Sequence, residues 1–141
     1  MVTKNTASDL FDFADEIALI SSQILNYRIK NKPKLSEDAI TTLEQLEGKL
    51  DVITGQVRAR GIERLAQLTA QARKEVIDAT AKAAGFLKKI KKIEKVVQMA
   101  TALLGVGLAV IAGKPQGIVE AVQNVVQVAK GGDETAETKD A

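Results

Sequence analysis

The strongest constraint on this chain is a lysine-rich segment that runs directly into an uncharged apolar run, within residues 86–113. Lysines and apolar side chains mix as far as Lys95, and no further charged residue follows until Lys114. The uncharged run is at the short end of the roughly 20 residues that a helix needs to cross a bilayer. The same run also suits a helix buried at the centre of a bundle, so both placements stay open.

The side chains available for chemistry are limited. The chain has no Cys and no His, which removes disulfides, thiolates, and the commonest metal ligand and general base near neutral pH. Neighbouring carboxylates such as Glu44 and Glu47 are typical of a solvated helix face. Gly105 and Gly107 lie inside an apolar segment and lack the other residues of a phosphate-binding loop. The sequence therefore predicts a non-enzymatic protein with no catalytic residue, metal, cofactor or small-molecule substrate.

The composition favours helices packed on helices. Aromatic residues make up 3% of the chain, and most of its apolar content comes from Ala, Val, Leu and Ile, whereas strands favour aromatic and β-branched residues. A length of 141 residues is sufficient for one domain. We therefore expect an all-α fold, an elongated antiparallel bundle resembling a coiled coil, in a single domain over residues 1–130.

The first helix is predicted from a regular apolar spacing. Apolar residues recur at alternating steps of three and four, which is the pattern of one buried helix face: Leu10, Phe13, Ile17, Ile20, Ile24 and Tyr27. Acids are concentrated at the start of this segment and bases at its end, as the helix macrodipole favours. Pro33 disfavours helical geometry in the residue before it. These signals predict a helix over residues 7–31.

A second apolar pattern begins after Ser36, a good N-cap, and continues to residue 97. Gly55 and Gly61 interrupt it, and each glycine costs about 1 kcal/mol relative to alanine inside a helix. The segment is therefore either one helix over 36–97, about 90 Å long at 1.5 Å per residue, or two helices hinged at 55–61. We favour the continuous helix, because the pattern beyond residue 65 is rich in alanine and suits long, closely packed helices.

The apolar run is one arm of a predicted helical hairpin over residues 96–130. A turn signal at 113–117 separates it from a second, more polar arm. Four small residues spaced every four positions form one face, a pattern that lets helices approach closely in lipid: Thr101, Gly105, Ala109 and Gly113. The acidic tail, residues 131–141, is predicted to be disordered.

Positive charge is concentrated just before the apolar run. Residues 58–95 carry 11 bases and 4 acids, whereas the segments on either side are net negative. Lysines in this position can hold anionic lipid headgroups, at about 1 kcal/mol each, although a solvated helix face explains the same charges. The residues predicted to contact a membrane or another anionic surface are Phe86, Lys88, Lys89, Ile90, Lys91, Lys92, Ile93 and Lys95.

The leading functional prediction is association with anionic membranes, or assembly into a membrane-active oligomer. Long amphipathic helices with one apolar hairpin resemble, in general architecture, the α-helical pore-forming toxins, although no motif allows residues to be carried over. The alternative is a soluble, self-associating scaffold or partner-binding module with the hairpin buried between subunits. A third hypothesis, binding of nucleic acid, has the charge but lacks stacking aromatics. The N-terminus lacks a signal-peptide pattern, which indicates a cytoplasmic or membrane-peripheral location.

Overall fold

A computed structural model describes the backbone of residues 4–61, 63 and 66–140, and the side chains of residues 12–60, 63 and 66–131. Within this part of the chain the fold is all-α, without a strand, and it forms the predicted helical bundle. The helices are α1 (Lys4–Asn31), α2 (Glu37–Gln56), α3 (Ala70–Lys89), α4 (Ile93–Ala112) and α5 (Pro115–Asp140). A 3₁₀ turn, Lys32–Lys34, joins α1 to α2, and a π-helical turn, Val57–Gly61, follows α2.

The helices α1 to α5 pack around a closed ring in the order α1, α2, α4, α5, α3. Hydrogen bonds from Gln23 to Ala84 and from Tyr27 to Lys91 place the C-terminal halves of α1 and α3 side by side, so these two helices are parallel. α2 and α4 are also parallel, because Ile53 near the C-terminal end of α2 faces Gly107 in the C-terminal half of α4. The ends of α1 and α3 therefore meet the starts of α2 and α4 at one end of the bundle.

The core on the first three helices follows the apolar stripes that the sequence predicts. Phe13, Ile17, Ile20 and Ile24 are all buried on α1, where the spacing of three and four placed them. The stripe of the second pattern is buried at Leu43, Leu46, Leu50 and Ile53 on α2 and at Val76, Ala79, Ala83 and Phe86 on α3. The buried stripe of α4 was not part of the predicted pattern and consists of Val96, Met99, Leu103, Val106 and Val110. Two members of the predicted pattern, Leu10 and Leu65, lie outside the described side chains.

Side-chain caps explain where two helices begin. The Ser36 hydroxyl accepts a hydrogen bond from the Ala39 N–H at 3.1 Å, which starts α2 at the predicted place. The Thr69 hydroxyl accepts one from the Ala72 N–H at 3.1 Å and starts α3, a helix start that the sequence analysis did not separate. Each cap satisfies a backbone donor that the first turn of a helix leaves without a partner.

The continuous helix predicted over residues 36–97 is wrong, because the described chain leaves regular α geometry at three places. The first departure is the π-helical turn Val57–Gly61, which lies within the predicted weak region; Gly55 itself is inside α2, and Gly61 ends the turn. The second is at residues 67–69, where the backbone is extended at Thr69. The third is at residues 90–92, where the backbone is extended at Ile90 and Lys92. The chain therefore folds back on itself as a bundle and does not form a rod of about 90 Å.

The predicted apolar hairpin is formed by α4 and α5. Gly113 ends α4 in the left-handed conformation, with φ of 73°, and its N–H bonds to the carbonyls of Ala109 and Val110. The backbone of α5 is helical to Asp140, beyond the end predicted near Lys130. The side chains from residue 132 onward lie outside the described part of the chain, so the disorder predicted for the acidic tail over 131–141 stays a prediction.

Candidate anionic-surface site

Lysines from two distant segments of the sequence meet at one end of the bundle. α1 and the turn after it contribute Lys30 and Lys34, while the end of α3 and the link to α4 contribute the others. These side chains line a cleft of about 660 Å³ between the C-terminal ends of the two parallel helices. We call it the lysine cleft, and its principal residues are Tyr27, Lys30, Lys34, Lys88, Lys89 and Lys91.

The link between α3 and α4 shapes one wall of this cleft. Lysines three or four positions apart repel each other along a helix, by a few tenths of a kcal/mol per pair, and residues 88–95 contain several such pairs. α3 ends after Lys89, and the Tyr27 hydroxyl donates a hydrogen bond to the Lys91 carbonyl at 2.6 Å. This bond ties the end of α1 to the link, so the two sets of lysines are held on facing walls.

The electrostatic environment of the cleft is strongly positive. Its five lysines are exposed, and among the described residues none of them forms an ion pair and no acid lines the cleft. Acids occur in the first turns of the helices that start at this end of the bundle: Glu37 and Asp38 on α2 and Glu94 on α4. Burial, and to a smaller degree the Glu94 carboxylate, raise the pKa of the Tyr27 phenol above its usual value.

The structure separates the lysines that were predicted as one cluster. Lys88, Lys89 and Lys91 line the cleft. Lys92 instead precedes α4 as its N-cap without a side-chain capping bond, and the half-buried Lys95 donates to Gln98 at 3.4 Å. Lys30, Lys34 and Tyr27 were not among the predicted contact residues, because only the packing of α1 against α3 brings them to this cleft.

The apolar residues predicted beside the lysines are partly or largely shielded within the bundle. Phe86 is only 8% exposed, because it lies on the same stripe of α3 as the core residues Val76 and Ala83, and its contact with a membrane stays a prediction. Ile90 and Ile93 are half-buried against the core. The apolar side chain most exposed at this end is Ile29, next to Lys30 in the sequence and 61% exposed.

The predicted small-residue face of α4 lies mostly on the outside of the bundle. Thr101 is exposed, Ala109 is half-buried and Gly113 is the C-cap. Gly105 has open space where a Cβ would be, so no helix of the described chain packs closely there. The close approach of two helices is at Gly107, where an added Cβ would lie 2.5 Å from Ile53 Cγ2. The packing of another helix against this small-residue face stays a prediction, and that helix would belong to a second molecule.

A shallow apolar groove lies beside that face, between α2 and α4. Val52 and Leu108, which line it, are 60% and 52% exposed, and Leu104 lines it as well. One described helix, α4, is long and apolar enough to cross a bilayer by length and composition, and 39% of its apolar window is buried in the bundle. A core helix of a water-soluble protein meets the same criteria, so this property alone does not select a function.

The side chains of the lysine cleft are suited to binding anions. Ammonium groups, a phenol and side-chain amides offer positive charge and hydrogen-bond donors, which suit phosphate and carboxylate groups. No protein-family model, curated protein or solved structure matches the chain.

Proposed function

We propose that this chain is a non-enzymatic helical protein that binds anionic membrane surfaces through the lysine end of its bundle. The observation that supports the proposal is the convergence of Lys30 and Lys34 from α1 with Lys88, Lys89 and Lys91 from α3. A lysine held near an anionic bilayer contributes about 1 kcal/mol, and salt screens that attraction. Five exposed lysines directed to one end therefore provide substantial, salt-sensitive binding.

Apolar contact would add to this attraction without opening the bundle. Ile29 is exposed beside Lys30, and Ile90 is half-buried in the link between α3 and α4. Apolar side chains at the rim of a basic surface can enter the headgroup region while the lysines remain at the interface. The α4–α5 hairpin keeps its core contacts in this orientation, so binding is peripheral.

Vesicle co-sedimentation tests the proposal. We expect the protein to bind vesicles of phosphatidylcholine and phosphatidylserine at low salt, and to stay in the supernatant with phosphatidylcholine alone. The variant Lys30→Gln/Lys34→Gln/Lys88→Gln should bind anionic vesicles at least tenfold more weakly, since it removes three interactions of about 1 kcal/mol each. Raising the salt concentration should also weaken binding of the unmodified protein to anionic vesicles.

A charge-matched variant provides the control. Lys49→Gln/Lys82→Gln/Lys114→Gln removes three exposed lysines that lie away from the cleft, so net charge falls equally. This variant should keep most of the vesicle binding. Equal losses in the two variants, or no binding to anionic vesicles at low salt, would contradict the proposed membrane surface.

A second candidate function, a self-associating scaffold, is supported by the groove between α2 and α4. Val52 and Leu108 are exposed there, the α4 residues from 96 to 112 carry no charge, and Lys49 is the single charged residue among those that line the groove. We expect light scattering to show a dimer or larger species that Leu108→Lys shifts toward the monomer. Val119→Lys, at an exposed apolar site on α5, is the matched control. A strict monomer at all concentrations would exclude this candidate.

A further inference from the structure

We propose that the lysine cleft binds a phosphate ester that carries free hydroxyl groups, either as the headgroup of a lipid or as a small soluble molecule. The inference rests on the proposed function, because it names the headgroup chemistry that the membrane-facing end would select. It is carried by three properties of the cleft: its concave shape, lysines on both walls, and amide groups beside them.

The shape of the site favours a discrete ligand. A lysine patch that binds only the average charge of a bilayer can be flat or convex. The space between the ends of α1 and α3 is instead a cleft of about 660 Å³, within the range of roughly 300–1,000 Å³ that is common for small-molecule sites. It is large enough for a phosphorylated sugar or polyol.

The charge arrangement favours a phosphate ester over a carboxylate. Lys30 and Lys34 approach from the α1 wall, and Lys88, Lys89 and Lys91 approach from the α3 wall. A phosphate monoester carries between one and two negative charges near neutral pH and has three oxygens that accept hydrogen bonds in different directions. Such a group can contact lysines of both walls at once, whereas a carboxylate has a single charge and two oxygens.

The amides of the cleft indicate that the ligand also carries hydrogen-bond donors. Lysine ammonium groups can only donate, but Gln23, Asn26 and Asn31 line the same space. The Gln23 Nε2 donates to the Ala84 carbonyl at 3.4 Å, and its Oε1 has no partner among the described residues. A buried acceptor without a donor is costly, and a rotation of the Gln23 amide that brings its Oε1 to the cleft would let a ligand hydroxyl relieve that cost.

Tyr27 provides a direct readout of occupancy. It is the only tyrosine, and the chain has no Trp, so its fluorescence comes from the cleft alone. We expect an inositol bisphosphate to change this fluorescence saturably, inorganic phosphate to bind at least tenfold more weakly, and free inositol to have no effect. Lys34→Gln/Lys88→Gln should weaken binding of the inositol bisphosphate at least tenfold, and Lys49→Gln/Lys82→Gln should leave it unchanged.

The Gln23→Leu variant separates recognition of hydroxyls from attraction by charge. It should weaken binding of the inositol bisphosphate several-fold and leave inorganic phosphate unaffected. The inference is overturned if the inositol bisphosphate gives no saturable change, if Lys34→Gln/Lys88→Gln binds it as well as the unmodified protein does, or if a single-stranded oligonucleotide binds the cleft more tightly.

Vesicles distinguish the two sources of the ligand. Preference for vesicles with phosphatidylinositol bisphosphate over phosphatidylserine vesicles of equal surface charge would identify a lipid headgroup. A Tyr27 response to the soluble inositol bisphosphate, without binding to either vesicle, would support a free ligand and contradict the proposed membrane function. Equal binding to both vesicles with no Tyr27 response would overturn this inference and leave the proposed function standing.

Discussion

Replacing Gly107 by valine is expected to lower the free energy of unfolding by about 3 kcal/mol, the upper part of the range for overpacking a well-filled core. Gly107 is buried where α4 passes α2, and even a single Cβ would lie 2.5 Å from Ile53 Cγ2. Ile53 is itself 4% exposed and β-branched, so it has little room to yield. Urea unfolding followed by far-UV circular dichroism measures the change.

The same substitution two residues earlier gives a matched control. A Cβ at Gly105 would meet nothing within 4 Å, so Gly105→Val should be neutral or stabilise the protein by a few tenths of a kcal/mol through helix propensity. Ile53→Ala combined with Gly107→Val should recover part of the loss, because the smaller side chain makes room for the valine. If Gly107→Val unfolds at the same urea concentration as the original protein, α2 and α4 do not meet at this point.

The buried faces of the helices were predictable, because the spacing of apolar residues shows which face of a helix is buried, whichever helix packs against it. Phe13, Ile17, Ile20 and Ile24 are at most 1% exposed, and all four were placed on one stripe by their spacing. The end of α1 near Pro33 and the cap of α2 at Ser36 were predictable for a similar reason, since both are local properties of the backbone.

The ends of the helices within residues 36–97 were less predictable, because the apolar residues have the same spacing in one long helix as in two helices joined by a turn. The apolar spacing continues through residues 90–93, although the helix stops there. Repulsion between neighbouring lysines contributes only a few tenths of a kcal/mol per pair, too little to identify a helix end from sequence. The bond from Tyr27 to the Lys91 carbonyl, which holds the link, joins residues 64 positions apart.

The candidate site likewise combines residues that are close in sequence with residues that only the tertiary fold brings together. Lys88, Lys89 and Lys91 were identified from the sequence because they are neighbours along the chain. Lys30 and Lys34 were missed because only the parallel packing of α1 against α3 brings them to the same cleft. Phe86 shows the opposite case: it is adjacent to the lysines in sequence, but its helical position points it into the core.

Replacing Arg28 by methionine is expected to lower the free energy of unfolding by about 1.5–3 kcal/mol, the range for a hydrogen bond to a charged group. The Arg28 guanidinium donates to both carboxylate oxygens of Glu47, at 2.6 and 3.0 Å, across the interface of α1 and α2. Their side chains are only 19% and 12% exposed. Without Arg28 the Glu47 carboxylate stays largely shielded from water and loses its partner. Urea unfolding at neutral pH provides the measurement.

The double variant Arg28→Met/Glu47→Leu decides how that loss arises. If the loss comes from a shielded, unpaired carboxylate, replacing both partners with apolar side chains should restore most of the stability, since neither polar group then needs solvation. Lys74→Met breaks a pair with Asp78 whose side chains are 72% and 64% exposed, so it should change stability by about 0.5 kcal/mol or less. A double variant as unstable as the sum of its two single variants would instead assign the loss to packing of the arginine stem against α2.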